Sequence, residues 1–564
     1  MSRPPKRLAV QLSKTPCVMK TRFSGISLGN FKAFAEPQNV PLRPITLLYG
    51  PNSAGKSTII HSFALIQEAV LSGSLDISRP RIGGSSIDLG GFARYVFNRD
   101  QAKNVEWTAK LNVSGDKILG DPKQRAAVEL SITFGVPLDD IGNPIENATV
   151  NIVSYEVLIG TLVFLRMSGR TNGAMAIDSL NSKHPVLRAI VQDACTPGSA
   201  EQDDDFIDIL TTDLIDRYEV IPGSLIPTGL KESQRVRSTD DTSIDLLRSA
   251  SGLDSFAELL SELLGNLEGC LREALDSLDY LGPLRTYPSR SVISTDDHDS
   301  DWRAGGAYAW DVVRNDSTVR SRVNAWLGAE WLQTPYVFTV QKLISMSRMR
   351  DEIFTFIEER FPHGESIDGL QNDGNSYRNV PDGDLILERD ATENATDMLM
   401  DRLLESTDNS LDELVITDRR TETIVSHRDI GIGVSQVLPV LVSSYASRNG
   451  LLLIEQPEIH LHPALQSELA DVFIESALGP SGNRFVLETH SEHLMLRILK
   501  RIRETADKEL PEAKYPITPA DVSVLYVEPT SEGTIVHYLQ ITEDGDFETP
   551  WPQGFFAERA RELY

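Results

Sequence analysis

Eight consecutive residues, Gly50-Pro51-Asn52-Ser53-Ala54-Gly55-Lys56-Ser57, fit G-x-x-x-x-G-K-[ST] without a gap, and Thr58 follows them. The flanks agree with the motif. "PITLLY" before it is short, apolar and strand-like, and "STIIHSFALIQEAVL" after it has helical spacing without Pro or Gly. Glycines let such a loop curl so that backbone N–H groups converge on phosphate oxygens, and the helix N-terminus beyond adds a positive dipole end. Lys56 is placed to reach β- and γ-phosphates and Ser57 to ligate Mg²⁺. The strand, loop and helix stand in the order such a phosphate loop requires.

A phosphate loop of this kind needs an acid at the end of a second apolar strand. "GLLLIEQPEIHLHP" supplies Glu455 after four apolar residues. About 30 residues later "RFVLETHSEHL" forms another apolar run ending at Thr489-His490-Ser491, and "VSVLYVE" follows as a third. Between Walker-type loop and acid lie some 400 residues. A single head must therefore be assembled from both ends of the chain.

The pattern between them changes twice. "NVEWTAKLNV", "AAVELSITFGV", "TVNIVSYEVLI" and "TLVFLRM" read as strands separated by turn residues. "DDFIDILTTDLIDRYEVI" and "GLDSFAELLSELLGNLEGCLREALDSLDYL" read as helices, as does the acidic "ENATDMLMDRLLESTDNSLDELVI". "STDDHDSDWRAGG" and "HGESIDGLQNDGNSYRNVPDGD" read as acidic loops. The expected partition is a flexible basic tail (1–20), an N-terminal head lobe (21–170), a mainly helical partner or dimerisation region (171–420), a C-terminal head lobe (421–515) and a small C-terminal domain (516–564). No heptad run is long enough for a coiled-coil arm.

The bulk properties narrow the partners. The 564 residues carry a formal net charge of −28, which argues against DNA affinity over most of the surface. Cys17, Cys195 and Cys270 are far apart, with no C-x-x-C pair, so neither a zinc ribbon nor a redox motif is expected and a reducing, cytoplasmic setting is the simple reading. The first twenty residues lack an apolar h-region and no apolar run approaches about 18 residues, so neither signal peptide nor membrane span is expected.

Taken in order, N-F-K-x-F, the phosphate loop, the glycine-serine turn of "DIGIGVSQVLPVLV", hhhhE-Q-P-E-x-H-L-H-P, T-H-S and the terminal W-P-Q-G-F-F resemble the ABC-type ATPase head shared by SMC, RecF and OLD-family proteins. The likeness is strongest to prokaryotic AAA ATPases of OLD/RecF type with a short C-terminal domain of unknown function. "YLGPLRTYPSR" and "VNAWL" are also similar to that group, and the resemblance spans roughly residues 22–100 and 280–564. It implies an α/β fold, an ABC-type P-loop ATPase head assembled from N- and C-terminal segments with a mostly helical insertion between them.

By position, the resemblance implies that Asn52, Ser53, Ala54, Gly55, Lys56, Ser57 and Thr58 cradle ATP. Ser57 and Glu455 take Mg²⁺, and Lys32 approaches the nucleotide. Gly433 and Ser435 cap the γ-phosphate held by an opposite protomer. Glu455 is the Walker B acid, His490 the switch histidine, and Glu458–His462 the D-loop. ATP then joins two heads into a homodimer or higher homo-oligomer. Related proteins often sit in anti-phage systems beside a separate effector, a nuclease or toxin. RecF-like DNA binding and a non-hydrolysing ATP-bound scaffold stay open as alternatives.

Gln456 stands where most ABC heads carry a catalytic Glu, and Gln orients water but accepts no proton. Glu458 serves instead, His490 helps as base, or hydrolysis is slow and ATP locks a switch; slow hydrolysis is the favoured reading. Gln67 is the weakest of the assignments, as a Q-loop glutamine. Arg285 reads either as a nucleotide or partner contact or as a buried structural arginine. His460 and His462 read as interface residues rather than metal ligands. Glu532 and Asp544-Gly545-Asp546 lack the spacing of a Toprim nuclease and read as a hairpin with an acidic turn. The acidic helices near 396–413 read as a solvated face, and Trp551 with Phe555-Phe556 as a packed anchor.

Overall fold

The computed structural model describes residues 21–115, 118, 125–145, 148–170, 175–194, 204–221, 225, 227–232, 252–285, 301–328, 334–343, 355, 411–426 and 430–552. The basic tail, Cys17, Cys195, most of the acidic stretch 396–413 and Phe555-Phe556 lie outside these. Among the described residues, those numbered 21–285, 301–309 and 431–552 form one compact unit, and those numbered 310–430 form another.

The first unit holds two sheets. Strands β1 (Arg22–Gly29), β2 (Gln38–Pro41), β4 (Val105–Ser114), β5 (Arg125–Gly135), β6 (Asn151–Ile159), β7 (Leu162–Gly169), β8 (Met175–Leu180), β9 (Tyr218–Ile221) and β10 (Gly229–Glu232) make an antiparallel sheet ordered β10-β9-β8-β7-β6-β5-β4-β1-β2. The four strands expected from alternation are β4 to β7. The sheet does not stop at residue 170, where a helical region was expected to begin. β8 to β10 extend it, and the last four residues of "DDFIDILTTDLIDRYEVI" are β9 rather than helix. The β-branched and aromatic "YEVI" follows a helix that ends at Arg217, and backbone pairing with β10 overrides the helical spacing.

The second sheet carries the phosphate loop. Its order is β11 (Leu278–Leu281), β15 (Leu451–Glu455), β16 (Arg484–Glu488), β3 (Ile45–Tyr49), β17 (Val522–Thr530) and β18 (Gly533–Leu539). The first five are parallel, and β18 returns antiparallel to β17. β3 and β15 are buried at every position, as expected of parallel strands covered on both faces. α1 (Lys56–Ser72) is buried nearly all round, and its Phe63 meets Phe23 of β1 edge-on with ring centroids 5.3 Å apart. One apolar core thus links the helix after the loop to the antiparallel sheet. The final "LDYL" of the long stretch 252–281 is not helix, as was expected, but β11, which adds to β15 after α2 (Leu253–Asp276) ends.

In the second unit, β12 (Tyr336–Leu343), β13 (Leu411–Asp418) and β14 (Thr423–Val425) form an antiparallel sheet. The helix Ser317–Leu327 docks on it through Asn324, whose amide donates to Phe338 O at 2.8 Å. Residues 411–416, expected as the end of an acidic helix, are strand. The turn at Glu422, with φ 52°, folds β14 back on β13.

Candidate nucleotide-binding site

The carboxyl ends of β3, β15 and β16 lie level. Glu455 is the register partner of Glu488, and Glu488 that of Leu48. The loop leaves β3 at Gly50, where φ is +144° and an added Cβ would stand 2.3 Å from Val527 O of β17. Gly55, at φ +102°, caps α1 from the left-handed region. At the start of α1 the Thr58 N–H donates to Gly55 O at 3.1 Å, and the first N–H groups of a helix are in general the ones free to meet an anion. Asn52 and Ser53 are exposed at the tip, while Ala54 and Thr58 are buried beneath it.

Lys56 is 3% exposed, and its Nζ donates to Gly50 O at 3.0 Å and Pro51 O at 2.9 Å. It lies 3.9 Å from Glu488 Oε1. Burial lowers its pKa, and Glu488 and Glu458 oppose that shift. Ser57 Oγ donates to Glu488 Oε2 at 2.6 Å. Burial raises the pKa of Glu488 and the neighbouring Glu455 carboxylate adds to the effect, against the Ser57 hydroxyl and Lys56.

Glu455 faces other partners. Its Oε1 accepts from Tyr280 OH at 3.0 Å and lies 3.4 Å from His61 Nε2. His61 Nδ1 is 2.8 Å from Lys32 Nζ. Burial, with Lys32 as a smaller cause, holds the imidazole below its usual pKa. A neutral ring then accepts from Lys32 through Nδ1 and presents Nε2–H to Glu455. Burial brings Lys32 down to about 8, with Glu455 opposing. Lys32 thus lies near the site, two contacts away from Glu455.

The turn after β15 is tight. Gln456 takes φ +46°, its N–H donates to Glu488 O at 2.7 Å, and its side chain is half-buried. Glu458 is buried; its Oε1 accepts from the His490 N–H at 2.7 Å while Oε2 has no hydrogen-bond partner. Burial raises its pKa. Burial, reinforced by Lys56, lowers that of His490. Gly433 and Ser435 lie at the start of the helix Ile432–Ala446, and a Cβ on Gly433 would stand 3.2 Å from His460 O. Arg285 is buried and bridges this helix to β15: NH1 donates to Gln436 O at 3.1 Å, NH2 to Glu455 O at 3.0 Å and to Gln456 O at 3.2 Å. This is the structural alternative for Arg285.

Several assignments change. Gln67 donates to Leu275 O at 2.8 Å, a bond to the end of α2. His462 Nδ1 caps the helix Pro463–Leu478 by accepting from Ala464 N–H. The acidic turn closes on itself through Thr542 and Asp546 beyond the β17–β18 hairpin. Glu488, Tyr280 and His61 were missed. For Glu488 there was a clue: "FVLE" repeats the apolar-run-then-acid pattern of "LLIE".

The residues present fit a magnesium nucleotide. The loop has the glycine conformations a phosphate cradle needs, Lys56 and Ser57 converge on its mouth, and a buried carboxylate oxygen of Glu458 stands unpaired. Among the described residues no group of three or more His, Cys, Asp or Glu is placed to hold a metal alone. Mg²⁺ is commonly held through one or two carboxylates plus substrate phosphates. Among the described residues no helix is long and apolar enough to cross a membrane.

Comparison with known proteins agrees. Residues 271–496 match the family described as "AAA domain, putative AbiEii toxin, Type IV TA system", residues 26–133 match "AAA domain", and residues 517–564 match DUF3696, a protein family of unknown function. No curated protein matches the chain. Among solved structures it is similar to an Smc head bound to the C-winged helix domain of ScpA (11% identity, 92% of this chain, 98% of that chain, TM-score 0.35). It is also similar to an Smc head with extended coiled coil bound to the C-terminal domain of ScpA, from Pyrococcus furiosus (11%, 96%, 98%, 0.34), and to the SMC head domain from Thermotoga maritima (9%, 92%, 100%, 0.31). The two segments that match AAA-domain families, residues 26–133 and 271–496, meet at one phosphate loop.

Proposed function

We propose that the protein binds ATP with Mg²⁺ and hydrolyses it slowly, as a dimerising switch. The observation that supports this best is the convergence of Lys56 and Ser57 from one end of the chain with Glu455, Glu458, Glu488 and His490 from the other. Acid, amide and imidazole groups gather beside Lys56 and Ser57 at the loop, so catalysis rests on placing water and charge. Lys56 and the helix N-terminus bind the phosphates. Ser57 with Glu455 or Glu488 holds the ion, which neutralises phosphate charge. Gln456 orients water without taking its proton, and Glu458 and His490, joined by a backbone hydrogen bond, are the groups left to accept it. Gly433 and Ser435 open their helix beside His460 rather than as part of the loop, which favours their use on a nucleotide held by a second copy.

On this reading ATP joins two heads of a cytoplasmic homodimer or larger homo-oligomer, and the assembly controls a separate effector protein. Support for an effector in anti-phage defence is the family description naming a putative AbiEii toxin of a type IV system. The net charge of −28 favours a protein partner over DNA. The first test is phosphate release from ATP by purified protein, with and without DNA, using Lys56→Ala as the blank, beside sizing with and without ATP. Turnover lost in the variant and ATP-dependent dimers uphold the reading. Stimulation by DNA favours the RecF-like alternative. ATP binding without turnover sinks hydrolysis and leaves an ATP-locked scaffold.

A further inference from the structure

Two acids end neighbouring strands at the mouth of the loop, and they are held by different groups. Glu455 is engaged by Tyr280 and faces His61. Glu488 accepts the Ser57 hydroxyl at 2.6 Å and lies 3.9 Å from Lys56 Nζ. Strand order accounts for the difference. β16 lies between β15 and β3, so Glu488 starts one strand spacing from the phosphate-loop strand, about 4.8 Å, and Glu455 starts two. Glu488 is further fixed through its own backbone, since its carbonyl accepts the Gln456 N–H at 2.7 Å.

We propose that Glu488 is the acid that closes the metal shell at Ser57, with Glu455 set back by Tyr280 as the outer member of the pair. Ser57 Oγ would hold the ion through a lone pair while its proton stays on Ser57 and keeps its hydrogen bond to Glu488, so the contact present in the protein would be retained. The unpaired Oε2 of Glu458, buried in the same acidic neighbourhood, is a second sign that a cation belongs there. The arrangement also gives Gln456 a reason. Three carboxylates already crowd this end of the sheet, and a neutral amide at 456 avoids a fourth like charge. The proposal rests on the nucleotide reading above and adds which residue selects the metal.

The test is binding of Mn²⁺, read by its paramagnetic resonance, to protein carrying a non-hydrolysable ATP analogue, beside analogue affinity in EDTA. Wild type, Glu488→Gln and Glu455→Gln are compared. Glu488→Gln is expected to weaken Mn²⁺ binding at least tenfold while analogue affinity in EDTA stays level or tightens, because a negative charge near the phosphates is gone. That metal-free affinity also reports that the variant is folded. Mn²⁺ binding within twofold of wild type in Glu488→Gln overturns the proposal. So does parallel loss of metal-free affinity, which marks a structural acid. Wild type that takes up no Mn²⁺ with the analogue removes the nucleotide reading as well, whereas failure of Glu488→Gln alone leaves that reading standing.

Discussion

Arg285 joins the helix that begins at Gly433 to the strand that ends at Glu455, so removing its guanidinium should loosen that junction before anything else. Arg285→Met deprives three buried carbonyls, Gln436 O, Glu455 O and Gln456 O, of a charged donor. At about 2 kcal/mol each the loss is about 6 kcal/mol. Against it stands the cost of burying the charge. Burial brings the Arg285 pKa from 12.5 to about 10, and a shift of about 2.5 units corresponds to about 3 kcal/mol returned when the charge goes. The net loss is about 3 kcal/mol, or roughly a 150-fold fall in protection against opening. Native-state hydrogen exchange of the β15 and Ile432–Ala446 amides reads this directly, with β5 of the antiparallel sheet as internal control. Arg285→Lys keeps the charge but not the planar fork, so it should lose at least as much. A change under threefold in both segments would refute the reasoning, because it would mean the three carbonyls find other donors at no cost.

Gln456→Glu should raise ATP turnover several-fold in the phosphate-release assay; an unchanged rate would show that residue 456 is not what slows hydrolysis. Thr534→Val removes a buried hydroxyl that donates to Ala54 O at 2.9 Å, which should cost about 1 kcal/mol of stability and weaken ATP-analogue affinity a few-fold by calorimetry, and an unaltered affinity would disconnect the C-terminal hairpin from the loop. Lys32 has a folded pKa of about 8 against 10.5 unfolded, so between those values the unfolded chain binds more protons and stability gains with rising pH, the gain being complete above 10.5 and lost as pH falls through 8. Urea midpoints at pH 7 and 10, compared between wild type and Lys32→Met, should show that gain in the wild type and a smaller one in the variant.

What was legible in the sequence was local. The phosphate loop is a contiguous motif, and β15, β16 and β17 stood out as apolar runs because parallel strands buried on both faces leave no room for polar residues. The head's assembly from both chain ends followed from where those runs lie. What was hidden depends on strand order. Nothing in "FVLETH" says that β16 lies beside β3, so Glu488 looked like any acid at a strand end. Tyr280 was masked differently: "LDYL" continues the apolar spacing of a 24-residue helix, and only pairing with β15 makes it a strand. His61 follows a run of helical apolar residues, and its burial between Lys32 and Glu455 needs both termini of the fold in place.

The small C-terminal segment is better understood as part of the phosphate loop's scaffold than as an appendage. β17 covers the edge of β3 that β16 leaves open, and an uncovered β3 would expose a row of unpaired backbone groups. Gly50 has room for no side chain because Val527 O of β17 occupies the place of its Cβ. Thr534 holds Ala54 from below, and the Thr534 N–H donates to Ala33 O at 2.9 Å, beside Lys32. Trp551 meets Tyr49, the last residue before the loop, edge-on with centroids 5.4 Å apart, while Tyr49 OH donates to Ser491 O at 2.9 Å, next to His490. A displacement of the loop on nucleotide binding would therefore be felt at the C-terminal hairpin, at the N-terminal turn carrying Lys32 and at His490 together. One end of the chain supplies the phosphate loop; the other determines the shape that loop can take.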